Sequence, residues 1–382
     1  MRLEPSDSDP PVLPRSTTIL LALGAATVAA FGIAAIKGIF TPVFLAFVLT
    51  LCVHPIRHRM HRHGIGRGIA TATTIAAVFG LLIAFAGVLI AALAQFSALL
   101  PQFAPQIQQL GVTIADALDA VGFGPEQTQA IQDGFDPGRI IGFVGGLLGG
   151  ATDLVGSLVV ILTMLILMAV DGSRVPALLT YLNQYRPALV SALTGFGAAV
   201  RRYMVATTIL GIAQGLFNWL VLVLLQVPGA LLWGLLSFIC SFIPNVGYFI
   251  AIIPPLFFGY LSGGWPTVIG VILVFGVINS AIQSIIQPKY IGNAVSLSET
   301  LTFVSVLFWA LVLGPMGAIL AVPLTLLVRA LLLDADTSKP WRRALTGDKS
   351  ALEGIMKDED SKIRDRRTSR STRRPGPDGV TA

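Results

Sequence analysis

Apolar runs of 17 or more residues recur along this 382-residue chain, separated by short polar stretches. As a helix, each run is long enough to cross a hydrocarbon core of about 30 Å. The runs place spans near residues 18–36, 39–55, 68–94, 151–170, 204–226, 230–260, 266–286 and 300–333. The pattern predicts an all-α, polytopic helical membrane protein with about eight (seven to eight) transmembrane helices. The runs at 230–260 and 300–333 exceed what one simple crossing needs, so tilt, re-entry or a kink is expected in each. Residues 19–31 have the character of a signal sequence. No A-x-A-like cleavage site precedes the equally apolar stretch that follows, so this segment reads as a retained first span.

The pattern breaks most sharply at residues 242–255, FIPNVGYFIAIIPP, which carry Pro244, Asn245, Gly247 and the pair Pro254 and Pro255 inside a long apolar region. Proline removes a backbone donor and clashes with the preceding turn, so a broken or re-entrant segment is expected near 240–256. In hydrocarbon, broken backbone survives only against protein or a wet cavity, which makes this stretch a pointer to a transport path.

Residues 95–150 differ in composition. Asp116, Asp119, Glu126, Asp133 and Asp136 stand against Arg139 as the only basic residue. Phe103, Ile107, Leu110, Ile114 and Leu118 recur at helical spacing, so an extracytoplasmic amphipathic segment is expected here. It divides spans one to three (18–94) from spans four to eight (151–333), the latter holding the transport path. Residues 1–17 are read as a cytoplasmic N-terminus, and residues 334–382 as a disordered, basic cytoplasmic tail.

Charge supports that arrangement. Only 12% of the residues are charged, against 54% hydrophobic, and mean hydropathy is +0.78. Of the 26 basic residues, 12 follow Leu333. Arg57, Arg59, Arg62 and Arg67 follow the second span, and Arg174, Arg186, Arg201 and Arg202 follow the fourth. By the positive-inside rule both loops and the tail are cytoplasmic, and eight crossings with both termini inside satisfy all three constraints. The basic tail then acts as a topology determinant, and no nucleic-acid partner is implied.

Candidate chemistry is sparse. Between residues 154 and 333 the only acids are Asp171 and Glu299, both at span edges. With Lys289 they are the candidate gate or coupling charges. Asn279, Gln283 and Gln287 fall at i, i+4 and i+8 on one helix face, where amides either line a polar path or join helices. Gln214 and Asn218 repeat that spacing. His54, His58, His61 and His63 cluster among arginines that would repel a dication, so no metal site is expected. Cys52 and Cys240 both lie in apolar segments, which argues against a disulfide. No GxxxxGK[ST] loop or nucleophile–base set occurs, so no cofactor and no enzymatic turnover is expected.

The succession ALLWGLLSFICSFIPNVGYFIAIIPP, QPKYIG and LGPMGAILAVPLT, with Trp233-Gly234, Ile243-Pro244-x-x-Gly247, Pro288-Lys289-x-x-Gly292 and Gly314-x-x-Gly317…Pro323 in that order, resembles the autoinducer-2 exporter family of bacterial permeases. The resemblance implies an inner-membrane protein of seven or eight spans. Some members are associated with autoinducer-2 export, and others look like sodium or lithium/proton antiporters. Members usually carry an acid on the span before the Pro-Lys motif, where this chain has Asn279 and Gln283.

Three readings follow. The leading one is a secondary permease that exports a small polar solute through a path formed by Pro244, Asn245, Gly247, Asn279, Gln283 and Gln287. The others are monovalent cation/proton antiport and a non-transporting membrane scaffold. The expected partners are a small-molecule solute and the lipid bilayer. Glycine-rich spans also offer surfaces for homo-oligomerisation.

Overall fold

The computed structural model describes residues 14–62, 64, 66–172, 174–286 and 297–335. Residues 1–13, His63, Gln287, Lys289 and the tail from residue 336 lie outside the described residues. Among those described, every element is helical and no strand occurs. The amino-terminal half holds α1 (Arg15–Ala35), α2 (Lys37–Arg62), α3 (Arg67–Leu99), α4 (Ala104–Ala120), α5 (Pro125–Gly134) and α6 (Pro137–Asp171). There follow α7 (Val175–Tyr185), α8 (Pro187–Leu224), α9 (Ala230–Cys240), α10 (Gly247–Ser280), α11 (Glu299–Leu313), α12 (Pro315–Ile319) and α13 (Ala321–Arg329). Large apolar side chains such as Leu20, Phe31, Phe217, Leu224, Phe249 and Leu311 point outward, as in a protein whose solvent on that side is lipid.

Among the described residues, three helical stretches are long and apolar enough to cross a membrane: Gly68–Ala120, Pro187–Leu224 and Gly247–Gln283. Two bent pairs, Ile19–Ala35 with Lys37–Val53 at 92° and Gly156–Asp171 with Val175–Tyr185 at 62°, raise the number to five. Length and composition alone do not fix the number of crossings, since the carboxy-terminal half also holds folded-back and short apolar helices. The run at 300–333, for example, divides into α11, α12 and α13.

The stretch Gly247–Gln283 is itself turned back at Gly264, whose φ of 65° and ψ of −156° lie outside helical space. A Cβ on Gly259 would sit 3.8 Å from Val271, and one on Gly276 would sit 3.9 Å from the Tyr248 hydroxyl. A straight helix would separate the first pair by about 18 Å. α10 is therefore two antiparallel arms. The first arm also lies antiparallel to α9. Gly247 touches Cys240 at one end, and Val227 meets Gly259 at the other. The chain thus runs down α9, turns over residues 241–246 and runs back alongside it, so the expected break near 240–256 is present as a helical hairpin. One detail differs from expectation. Pro254 and Pro255 lie inside the first arm, and the helix continues through them.

The tip of this hairpin rests on α8. Gly211, Gly215 and Gly234 bring the α8 and α9 backbones together; a Cβ on Gly215 would lie 2.8 Å from the Gly234 carbonyl oxygen. At the far end Phe96, Trp233 and Phe258 form an aromatic cluster, with ring centroids 4.8–5.7 Å apart. Trp233 Nε1 donates to the Pro228 carbonyl at 2.8 Å. The α4–α5 unit joins the same end through Phe103 on Phe258 and Phe135 on Phe257.

A second hairpin, α11 against α12 and α13, turns at Gly314, where φ is 75°. Trp309 Nε1 donates to Thr325 Oγ1 at 3.1 Å, Thr325 meets the Ser305 hydroxyl, and Ser305 donates to the Ala321 carbonyl at 3.4 Å. Every polar group in this relay is used within it, so the relay holds helices together.

The glycine seam sets a stability prediction. Gly234→Leu drives a side chain into Trp219, whose Cβ lies 2.6 Å from the position of an added Cβ. It should cost about 1–3 kcal/mol and lower the melting temperature of the purified protein. Gly80→Leu, at a position with open space around it, should melt like the parent.

Candidate functional site

The turn between α9 and α10 shapes a cavity in the carboxy-terminal half. Ile243 N–H donates to the Cys240 carbonyl at 2.9 Å, and Gly247 N–H donates to the Ile243 carbonyl at 3.0 Å. Between them, Val246 N–H closes a three-residue turn on the Pro244 carbonyl at 2.7 Å. Asn245 at its centre has φ of 64°, the left-handed region that asparagine tolerates better than most residues. Tyr203 on α8 donates its hydroxyl to the Phe242 carbonyl at 3.2 Å, which holds the turn from outside. Among the described residues nothing bonds to the Ser241 carbonyl. Gly247 is required here because any side chain would run into the Cys240 carbonyl.

The cavity below the turn encloses about 360 Å³, within the range of small-ligand sites. α8 contributes Tyr203, Thr207 and Gln214; α9 contributes Ser237 and Cys240; the turn contributes Ser241, Pro244 and Asn245. α10 adds Gly247, Tyr248 and Asn279, and Gln283 follows on the π-turn Ala281–Ile286. Glu299 and Thr302 close the wall from the first turn of α11. That helix is capped by Ser298, whose hydroxyl accepts from Leu301 N–H at 3.2 Å. Glu299 is exposed, as is Asn245, so both stand at the open side. Of the described lining residues, Glu299 is the one that carries a charge at neutral pH.

The sequence-predicted residues divide cleanly. Pro244, Asn245, Gly247, Asn279, Gln283 and Glu299 come together on this one cavity from four separate segments. Gln283 Nε2 donates to Asn279 Oδ1 at 3.0 Å, so the amide face is partly self-satisfied. Gln287 and Lys289 lie outside the described residues. Asp171 does not join the site: it ends α6, is exposed, and is absent from the cavity wall. The wall formed by α8 is the part that motif reading missed. Its signal is the helical spacing of Tyr203, Thr207, Gln214 and Asn218, of which only the last two stand out as an amide pair.

Comparison with known proteins agrees with this architecture. The sequence profile described as AI-2E family transporter matches residues 19–335. The AI-2 transport protein TqsA of Escherichia coli (strain K12) is 27% identical over 324 residues, which cover 81% of this chain and 90% of that protein. A second protein of the same organism, named "Putative transport protein YhhT", is 27% identical over 307 residues, covering 80% of this chain and 88% of its own. A "Putative transport protein" of Haemophilus influenzae is 29% identical over 232 residues, covering 58% of this chain and 64% of its own.

The angle at Asn245 separates backbone need from side-chain chemistry. Asn245→Gly should melt within about 0.5 kcal/mol of the parent, since glycine takes positive φ freely. Asn245→Val should lose about 1–2 kcal/mol from left-handed strain alone. Thermal unfolding of the two purified variants checks the difference.

Proposed function

This chain belongs to the AI-2E transporter family, and on that premise we propose that it exports a small, neutral, polar solute by secondary transport. It is a multi-pass membrane permease in its broad class; the proposal concerns cargo, path and direction. An autoinducer-2-like signalling molecule is the cargo this reading favours, because one relative carries an AI-2 transport name. The observation that carries it is the wall of the cavity: hydroxyls, amides and turn carbonyls from α8, α9, the turn, α10 with its π-turn, and α11, with a single carboxylate among the described residues at the open side. Such a wall offers hydrogen bonds to an uncharged solute and little to hold an ion. We place the protein in the bacterial plasma (inner) membrane, with both termini and the basic tail cytoplasmic and residues 95–150 outside, on the arginine asymmetry of the loops.

In this reading the cargo enters beside Asn245, bonds to the turn and to Asn279 and Gln283, and leaves when the helical hairpin shifts against α8. The place where such a shift would act is the seam at Gly211, Gly215 and Gly234, where the helix backbones approach closely and Phe238, Ser241 and Trp219 pack over the glycines. Glu299 acts as a mouth charge that disfavours anions. Gln287 is kept as a path residue and Lys289, on the Pro-Lys motif, as a gate or coupling charge, both on the sequence pattern alone.

A second reading, monovalent cation/proton antiport, draws on one observation: Glu299 does reach the cavity wall. The two readings part on substitution. For solute export, Gln283→Ala should lower the initial flux of a polar solute in reconstituted vesicles about three- to tenfold, the worth of one hydrogen bond. Glu299→Gln should leave that flux within about twofold. For antiport, Glu299→Gln abolishes salt-dependent proton movement, and Gln283→Ala has no effect on it. Unchanged solute flux in Gln283→Ala would sink the assigned path.

A further inference from the structure

We infer that Thr207 and Gln214, on the α8 wall, select the cargo of this permease, and that they select it for hydroxyl groups. The inference rests on the transport reading above and comes from matching donors to acceptors around the cavity. Ser241 donates its hydroxyl to the Phe238 carbonyl at 2.7 Å, Ser237 to the Trp233 carbonyl at 2.9 Å, and Thr302 to the Ser298 carbonyl at 3.0 Å. Tyr203 is used by Phe242, and Gln283 by Asn279. Each of these groups already has a protein partner, and Asn279 and Gln283 keep only the remainder of their amide capacity for cargo.

Thr207 and Gln214 differ. Thr207 is 5% exposed, and its buried Oγ1 faces the Tyr203 hydroxyl without forming a well-aligned hydrogen bond among the described residues. Gln214 is 7% exposed and makes no side-chain hydrogen bond there, although an amide can form four. They lie seven positions apart on one face of α8, both on the cavity wall. Behind them Asn218, 1% exposed, donates to Ser237 at 3.1 Å and leaves its Oδ1 unpaired. Buried polar atoms without partners are costly, and native proteins retain few. On the cavity wall itself Thr207 Oγ1 is such an atom, and the Gln214 amide stands on the same helix face with no side-chain hydrogen bond among the described residues, so the pair suits a ligand that both donates and accepts.

A hydroxyl group does both, whereas a carboxylate only accepts and an ammonium only donates. The ligand class is therefore a neutral solute with several hydroxyls, small enough for about 360 Å³. Such a site also discriminates sharply, because a solute lacking one hydroxyl leaves Thr207 or Gln214 buried and unpaired. The selecting groups sit on the long helix, and the moving hairpin supplies the door.

D-ribose and 2-deoxy-D-ribose, which differ by one hydroxyl, test this on the purified full-length protein. Thermal unfolding in detergent reads binding, and flux into vesicles reads transport. The parent should bind ribose in preference to deoxyribose. Thr207→Val, which keeps the shape and removes the hydroxyl, should reduce that preference about three- to tenfold, and Gln214→Leu should reduce it at least as much. The empty Thr207→Val protein should melt at or above the parent's temperature, because it loses an unpaired buried hydroxyl. A merely structural threonine would give a lower one. The inference is overturned if neither sugar shifts the parent, if the preference survives both substitutions, or if empty Thr207→Val melts lower. Preferential binding without flux would instead remove the permease reading and leave the selecting pair in place.

Discussion

The close approach of Gly247 to the Cys240 carbonyl is the constraint on which the carboxy-terminal half depends. It lets the chain reverse within six residues inside an apolar region. The reversal turns what would be one long helix into a hairpin. Interior hydrocarbon tolerates such a reversal only if the freed backbone groups find partners. Here the turn satisfies most of them internally, and Tyr203 covers one more from α8. The remainder open onto the cavity. Structure and site therefore share a cause: the same broken backbone that needs protection creates the polar space beneath it.

Two kinds of packing hold the hairpin. Toward the tip, glycines of α8 lie under Phe238 and Ser241, and the backbones of α8 and α9 come close at Gly215 and Gly234. At the opposite end the contact is aromatic, with Phe96, Trp233 and Phe258 interlocked and Phe103 and Phe135 added from the α3–α5 side. Aromatic pairs add stabilisation beyond their buried area and fix orientation, whereas glycine seams give proximity. The hairpin is thus held by aromatic rings around Trp233 and Phe258, and at its tip by Phe238 against Phe85 and Phe242 and by the Tyr203 hydrogen bond.

Much of this was legible in the residues. Pro244, Asn245 and Gly247 announced the break because each changes what the backbone can do, and such effects are local. The amides at 279 and 283 were visible as a helical face, and the structure brings them to that break. The reversal at Gly264 was harder to see: an apolar run continues across it, and hydropathy carries no sign of direction. Pro254 and Pro255 misled in the opposite sense, since tertiary packing carries the helix through both. The α8 wall was hidden for a different reason. Threonine and tyrosine in a span are ordinary residues, and only the positions of their hydrogen-bond partners show that Thr207 lacks one while Tyr203 does not. Asp171, prominent in sequence as one of two acids, lost that weight once the chain had folded away from it.

The left-handed backbone at Asn245 reaches beyond the geometry of one turn. Few side chains tolerate that angle, so the residue at the tip is open to little beyond asparagine, aspartate and glycine. No such restriction applies to Thr207 or Gln214, which sit on regular helix. Descendants of this protein that change their cargo would therefore record the change along α8 while the tip stayed as it is. One backbone angle divides the lining into a part that evolution can rewrite and a part that it must copy.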